Sequence, residues 1–258
     1  MELEDVTASD CSLLGHLTYH RLDEPSPLTI MNHLQNAELT RAHEPPRETK
    51  SRFVFLALYG AGLLGALLAF GLLAEDVMEQ EPFGFDTALL TWFAAHQLPW
   101  LTALAQGFSL LGSLVAFGVL TLAVYLWIRR RSHSEGRFFA LSVLGALALN
   151  AGAKLLFARV RPSLFDQLSA AAGYSFPSGH TMLSTAFALA FFLVVRHWFP
   201  RWRLLVGLGM LIFALGISLS RPYLQVHYPS DILAGWALSL AWVLGLNLWF
   251  RRSRYART

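Results

Sequence analysis

The chain has 258 residues, of which 55% are hydrophobic and only 14% charged, and its formal net charge is +3. A soluble domain carries about 25% charged residues, so this composition excludes an ordinary globular protein and indicates an integral membrane protein. The single cysteine, Cys11, excludes an intrachain disulfide.

Residues 1–50 are polar and rich in acids, with Pro25, Pro27, Pro45 and Pro46. They lack the basic start and apolar core of a signal peptide. They read as a mostly disordered cytoplasmic tail, with short helices around 13–19 and 28–39. His16 and His20 are four apart, but without further ligands they read as solvated side chains.

Residues 51–252 form the expected membrane domain, followed by a basic tail at 253–258. The stretch 53–74 carries no charge and is long enough to span the hydrocarbon. Its Gly, Ala and Leu content suits close helix packing. Glu75, Asp76, Glu79 and Glu81 mark an acidic exit. The stretch 85–96, with Trp92, is too short to span and reads as interfacial. A second span has its core at 108–128 and stops at Arg129, Arg130 and Arg131. The third covers 138–157, the fourth 179–195, the fifth 204–219 and the sixth 232–250. A long polar loop at 158–177 separates the third from the fourth.

With the N-terminus inside, the cytoplasmic flanks hold Arg47, Lys50, Arg52, Arg129, Arg130, Arg131, Arg137, Arg196, Arg201, Arg203, Arg251, Arg252, Arg254 and Arg257. The other side holds only Lys154, Arg159, Arg161 and Arg221. Basic residues accumulate on the cytoplasmic side, so the expected fold is all-α, with six transmembrane helices and both termini cytoplasmic.

The four outer cations sit where the orientation rule disfavours them. A charge at a bilayer centre costs roughly 2.5–3.5 kcal/mol. Arg159 reads as an interfacial anchor whose stem snorkels to the surface. Lys154, Arg161 and Arg221 point instead to an anionic ligand, because arginine's fork matches phosphate oxygens and lysine adds a point charge.

Two histidines lie at the same level. Pro177, Ser178, Gly179 and His180 open the fourth span, where free backbone N–H groups at a helix N-terminus favour an anion. His227 and Asp231 are four apart, which on a helix places a carboxylate beside an imidazole. Such a pair activates a histidine as base or nucleophile. His227 is then the expected nucleophile, His180 the proton donor and acceptor, and Asp231 the orienting carboxylate. Lys154, Arg161, Arg221, Ser178 and the Gly179 amide would bind the phosphate. No dense set of metal ligands occurs at this level, so no catalytic metal and no cofactor are expected.

Three segments resemble the signature of the type 2 phosphatidic acid phosphatase superfamily. They are Lys154-x6-Arg161-Pro162, Pro177-Ser178-Gly179-His180 and Ser220-Arg221-x5-His227-x3-Asp231. The resemblance covers roughly residues 53–250. It implies a six-helix, metal-independent membrane phosphatase with a histidine nucleophile, and phosphate binding by Lys154, Arg161, Ser178, Gly179 and Arg221. By that resemblance the expected setting is a bacterial inner (plasma) membrane, with the site facing the periplasm or outside. The expected partners are a lipid substrate and the bilayer, with no nucleic acid.

Undecaprenyl pyrophosphate is the favoured substrate. Phosphatidylglycerophosphate, phosphatidate and lipid A phosphate are alternatives, as is transfer of the phosphate to another lipid. A non-catalytic protein that binds anionic lipid would need the cations but not two histidines and an aspartate. A vanadate-dependent haloperoxidase would share the site, but six spans argue against it.

Overall fold

The computed structural model describes residues 47–80 and 83–255, together with Leu28 and Met31. Apart from those two positions, the short helices expected at 13–19 and 28–39 lie outside the described residues. The chain divides into two units, Met1–Val54 and Phe55–Thr258, and the site belongs to the second.

The described residues form eight α-helices and no strand. These are α1 (Arg47–Met78), α2 (Gly84–Ala95), α3 (Pro99–Leu111), α4 (Leu114–Arg131), α5 (His133–Phe157), α6 (Gly179–Trp198), α7 (Arg203–Tyr223) and α8 (Pro229–Tyr255). A 3₁₀ turn, Pro200–Trp202, leads into α7. Five segments are long and apolar enough to cross a bilayer: Leu56–Met78, His133–Phe157, Gly179–Trp198, Pro200–Tyr223 and Pro229–Arg251. Helices α3 and α4, which meet at a 57° bend, are long and apolar enough together to count as a sixth if the pair is one broken span and not a re-entrant loop. The stretch at 85–96 is the short helix α2, with Trp92 largely exposed.

The bend corrects the continuous second span expected at 108–128. Helix α3 stops at Leu111, and Ser113 starts α4 by accepting a hydrogen bond from the Ala116 N–H at 3.4 Å. Gly112 is needed between them because a Cβ there would stand 2.5 Å from Cδ2 of His180 and 2.9 Å from Cγ2 of Ile217. Ser132 likewise caps α5, accepting from the Glu135 N–H at 3.3 Å.

Helix α6 is the most buried of the spans and packs against α5, α7 and α8. Its Phe187 meets Phe139 and Phe117 edge-on, with centroids 5.2 and 5.4 Å apart, a favoured aromatic geometry. Trp242 of α8 lies against Gly145 of α5 and donates its indole N–H to the Leu141 and Ser142 carbonyls. Helix α1 packs least. Tyr59 donates to the Leu244 carbonyl at 3.3 Å and Phe70 stacks on Phe176. Leu64, Leu67, Leu68 and Leu72 of the same helix stay exposed. In water such a face would be a liability; in a bilayer it meets acyl chains of its own polarity.

Successive helices bring distant sequence to one end of the bundle. The end of α5, the start of α6, the end of α7 and the start of α8 gather there, and the non-helical stretch 158–178 covers them. That end carries the polar cluster.

Candidate active site

His227 lies in the short connection between α7 and α8, 1% exposed. Asp231, in the first turn of α8, is fully buried. Its Oδ2 lies 3.1 Å from Nδ1 of His227 and also accepts the Tyr228 amide at 2.9 Å. A carboxylate can only accept, so Nδ1 carries the proton and Nε2 keeps its lone pair. Burial pushes the imidazole down to about 4, against the opposing pull of Asp231. The ring is therefore neutral at pH 7. Arg161 donates to Nε2 at 3.1 Å, so a guanidinium already faces the free nitrogen.

The cations sort into two kinds. Lys154 donates to the Tyr174 carbonyl at 2.7 Å. Arg161 donates to the carbonyls of Gly173, Ala172 and Val226 at 2.7–2.9 Å. Arg221 is 2% exposed, its NH1 meets the Ser109 hydroxyl, and its Nε has no hydrogen-bond partner. All these acceptors are neutral. Among the described residues, none of the three has a carboxylate within ion-pair distance.

Arg159 differs, and here the interfacial-anchor reading is corrected. Its NH1 pairs with Asp231 Oδ1 at 2.7 Å and its NH2 with Asp86 Oδ2 at 3.0 Å. Asp86, in the first turn of α2, also accepts from the backbone N–H of Ser230 at 2.8 Å and from its hydroxyl at 2.5 Å. Burial pushes the Asp86 carboxyl up, while Ser230 and Arg159 hold it down. Nothing in the sequence marks Asp86 for this part.

The segment before α6 is pinned from α5. Asn150 donates to the Pro177 carbonyl at 3.0 Å, and a Cβ on Gly179 would stand 2.9 Å from its Oδ1. The Ser178 N–H donates to the Asp231 carbonyl at 3.1 Å, tying the two helix starts together. The Ser178 hydroxyl is fully buried and has no hydrogen-bond partner. The first-turn N–H groups of α6, beginning at Gly179, have no intrahelical acceptor. His180 donates Nε2–H to the Ser109 carbonyl at 3.2 Å, so Ser109 serves both His180 and Arg221. His180 is within electrostatic range of Arg221, His227 and Lys154. Asn150, Ser109 and Gly112 carry no signal in the sequence; only the structure shows what they touch.

Gly112→Ala should push His180 aside while adding one methyl group at a helix break. A displacement of about 1 Å costs on the order of 100-fold in turnover. The expected result is that loss, with a monodisperse protein and a substrate KM close to wild type. Unchanged turnover would show that His180 needs no such placement. Among the described residues, no group of three or more His, Cys, Asp or Glu side chains is placed to hold a metal ion.

Fold and site together define a polytopic helical protein in which three cations without carboxylate partners, Arg221 buried and Lys154 and Arg161 half-buried, gather by an imidazole–carboxylate pair. The model of the PAP2 superfamily matches residues 135–255. An undecaprenyl-diphosphatase of Sulfolobus acidocaldarius is 27% identical over 66% of this chain and 80% of its own length. A protein of Escherichia coli K12, YbjG, provisionally named an undecaprenyl-diphosphatase, is 32% identical over 53% of this chain and 67% of its own. Among solved structures, a transmembrane PAP2-type phosphatidylglycerolphosphate phosphatase of Bacillus subtilis has a TM-score of 0.66 at 24% identity. That match covers 74% of this chain and 96% of the other. The chain belongs to the PAP2 superfamily. It is a multi-pass membrane enzyme of that group.

Proposed function

We propose that the protein hydrolyses a lipid diphosphate, with undecaprenyl pyrophosphate as the best candidate, on the outer face of a bacterial plasma membrane through a phosphohistidine on His227. The observation that carries this reading is the set of three cations, Lys154, Arg161 and Arg221, that meet only neutral partners beside His227. A buried cation without a carboxylate is costly; that cost falls mainly on Arg221, with Lys154 and Arg161 half-buried, and a bound phosphate would offset it. The unpartnered Ser178 hydroxyl and the free amides of α6 offer the same ligand further donors.

Nε2 of His227 attacks the terminal phosphorus, and the bond from phosphorus to the bridging oxygen breaks. Asp231 accepts the Nδ1–H bond and stabilises the cationic ring that forms. The leaving lipid phosphate takes a proton from His180, whose protonated state the incoming anion favours. Water then attacks phosphorus, giving its proton back to His180, and the P–N bond breaks to release inorganic phosphate. Lys154, Arg161 and Arg221 stabilise the equatorial oxygens. No step requires a metal.

A lipid substrate fits the surroundings. A groove of about 400 Å³ between α4, α5 and α6 is lined by Leu114, Phe117, Leu122, Val143, Leu147 and Leu183. Leu183 lies one helical turn from His180, so a hydrocarbon chain there would stay beside its reacting headgroup. The positive-inside count supports cytoplasmic termini and an outward site.

The test is phosphate release from purified protein in detergent, comparing undecaprenyl pyrophosphate, phosphatidylglycerophosphate, phosphatidate and lipid A, with and without chelator. The expected result is fastest release from the diphosphate, unchanged by chelation. Preference for a monophosphate would overturn the substrate choice, and loss of activity on chelation would overturn the metal-free chemistry.

A further inference from the structure

The two oxygens of Asp231 are used differently. Oδ2 serves His227 and the Tyr228 amide, whereas Oδ1 turns away and accepts from Arg159. A carboxylate torsion is broad and poorly fixed by itself. Arg159 fixes it from behind, and Arg159 is itself fixed. Its NH1 also donates to the Ser230 hydroxyl at 2.7 Å, and its guanidinium lies 4.1 Å over the Tyr228 ring and 5.6 Å from the Phe83 ring. Its second fork arm is anchored on Asp86, which Ser230 holds in turn. Three segments remote in sequence thus close behind one carboxylate: α2, the loop after α5 and the start of α8.

The charges are also matched to the reaction. Asp86 and Asp231 are 3% and 0% exposed in their side chains and Arg159 is 16% exposed. The resting group holds two negative charges, one positive charge and a neutral ring. When His227 takes a phosphoryl group its ring becomes cationic, and the four side chains, counted without the phosphoryl oxygens, sum to zero. The hydrogen bonds of Arg159 go to Asp231, Asp86 and Ser230, and none goes to Nε2, which faces Arg161.

We propose that Arg159, anchored by Asp86, is a positioning residue that holds Asp231 Oδ2 on the His227 ring and balances the charge of its phosphorylated state. The proposal rests on the reading of His227 as nucleophile. It assigns a function to an arginine and an aspartate that lie outside the three motif segments' defining positions. Because Arg159 acts through Asp231 and not on substrate, its removal should change kcat and leave KM alone.

The experiment measures kcat and KM on a lipid diphosphate for the full chain in detergent. The variants are Arg159→Gln, Arg159→Lys, Asp86→Asn and the double variant Asp86→Asn/Arg159→Gln, with wild type and His227→Ala alongside. Arg159→Gln should lower kcat about 100-fold, the scale of an ångström-sized misplacement, at unchanged KM. Arg159→Lys, which keeps the charge but not the two-armed fork, should recover about 10-fold of that loss. The double variant should be more active than Arg159→Gln alone, because it also removes the second buried carboxylate; such non-additivity marks coupled groups.

Wild-type kcat in Arg159→Gln, or a raised KM at unchanged kcat, would overturn the proposal. So would a double variant whose losses simply multiply. If Arg159→Gln is not monodisperse, Arg159→Lys decides: a fall of about 10-fold at unchanged KM supports the role, and a wild-type kcat overturns it. Inactivity of the wild type, or full activity of His227→Ala, would instead overturn the phosphatase or nucleophile reading on which the proposal stands.

Discussion

His227→Ala should abolish turnover, with a loss of at least about 10⁴-fold, the scale seen when a nucleophile or its partner is removed from a covalent mechanism. The fold should survive. Although the ring is fully buried, Asp231 keeps its Arg159 and Tyr228 partners when it is removed. Phosphate binding should also survive, because Lys154, Arg161 and Arg221 are untouched. Competition by inorganic phosphate or vanadate, read as a shift in unfolding temperature, measures this directly. A variant that binds the anion but does not turn over separates attack from binding. Appreciable hydrolysis by His227→Ala would reject this ring as the attacking group.

Arg221→Met should move activity and stability in opposite directions. Arg221 is 2% exposed, with one hydroxyl partner and a bare Nε. Replacing a buried, poorly compensated charge by an apolar side chain of similar length is often neutral or stabilising by about 1–4 kcal/mol. On the proposed function the same change removes a donor for a developing negative charge, and such a loss costs about 10²–10³-fold in kcat. The expected outcome is an unfolding temperature at or above wild type, kcat/KM reduced about 1,000-fold, and loss of stabilisation by inorganic phosphate. If the variant unfolds more easily and the remaining folded fraction is fully active, Arg221 serves the fold and not the ligand.

Much of the fold and site is legible in the chain. Apolar runs place the spans because hydrocarbon demands length and polarity that composition alone reveals. His227 and Asp231 can be paired from their spacing, although the helix begins only at Pro229 and His227 reaches Asp231 from the connection before it. Lys154, Arg161, His180 and Arg221 stand out because cations and histidines are costly at the ends of membrane spans. Asp86 does not stand out. An acid in the first turn of a short apolar helix is what the helix dipole favours, and nothing local ties it to an arginine 73 residues later. Arg159 is concealed in the same way, since snorkelling and ion pairing look alike until a partner from another helix is known. The break at Gly112–Ser113 lies inside a mostly apolar run, and the packing of the His180 ring against Gly112 comes from a helix distant in sequence.

The proposed attack by His227 rests on geometry: Nδ1–H held by Asp231, Nε2 unprotonated, and Arg161 donating to it. The measurement that tests this most directly is rapid quenching of His180→Gln during turnover of a lipid diphosphate labelled in its terminal phosphate. Without its proton acceptor for water, the enzyme should accumulate an acid-labile, alkali-stable phosphate on His227. That label should be absent when His227→Ala is added. Turnover by the wild type with inversion at phosphorus, and no protein-bound phosphate at any time in the histidine variant, would show that water attacks directly and would contradict the covalent route.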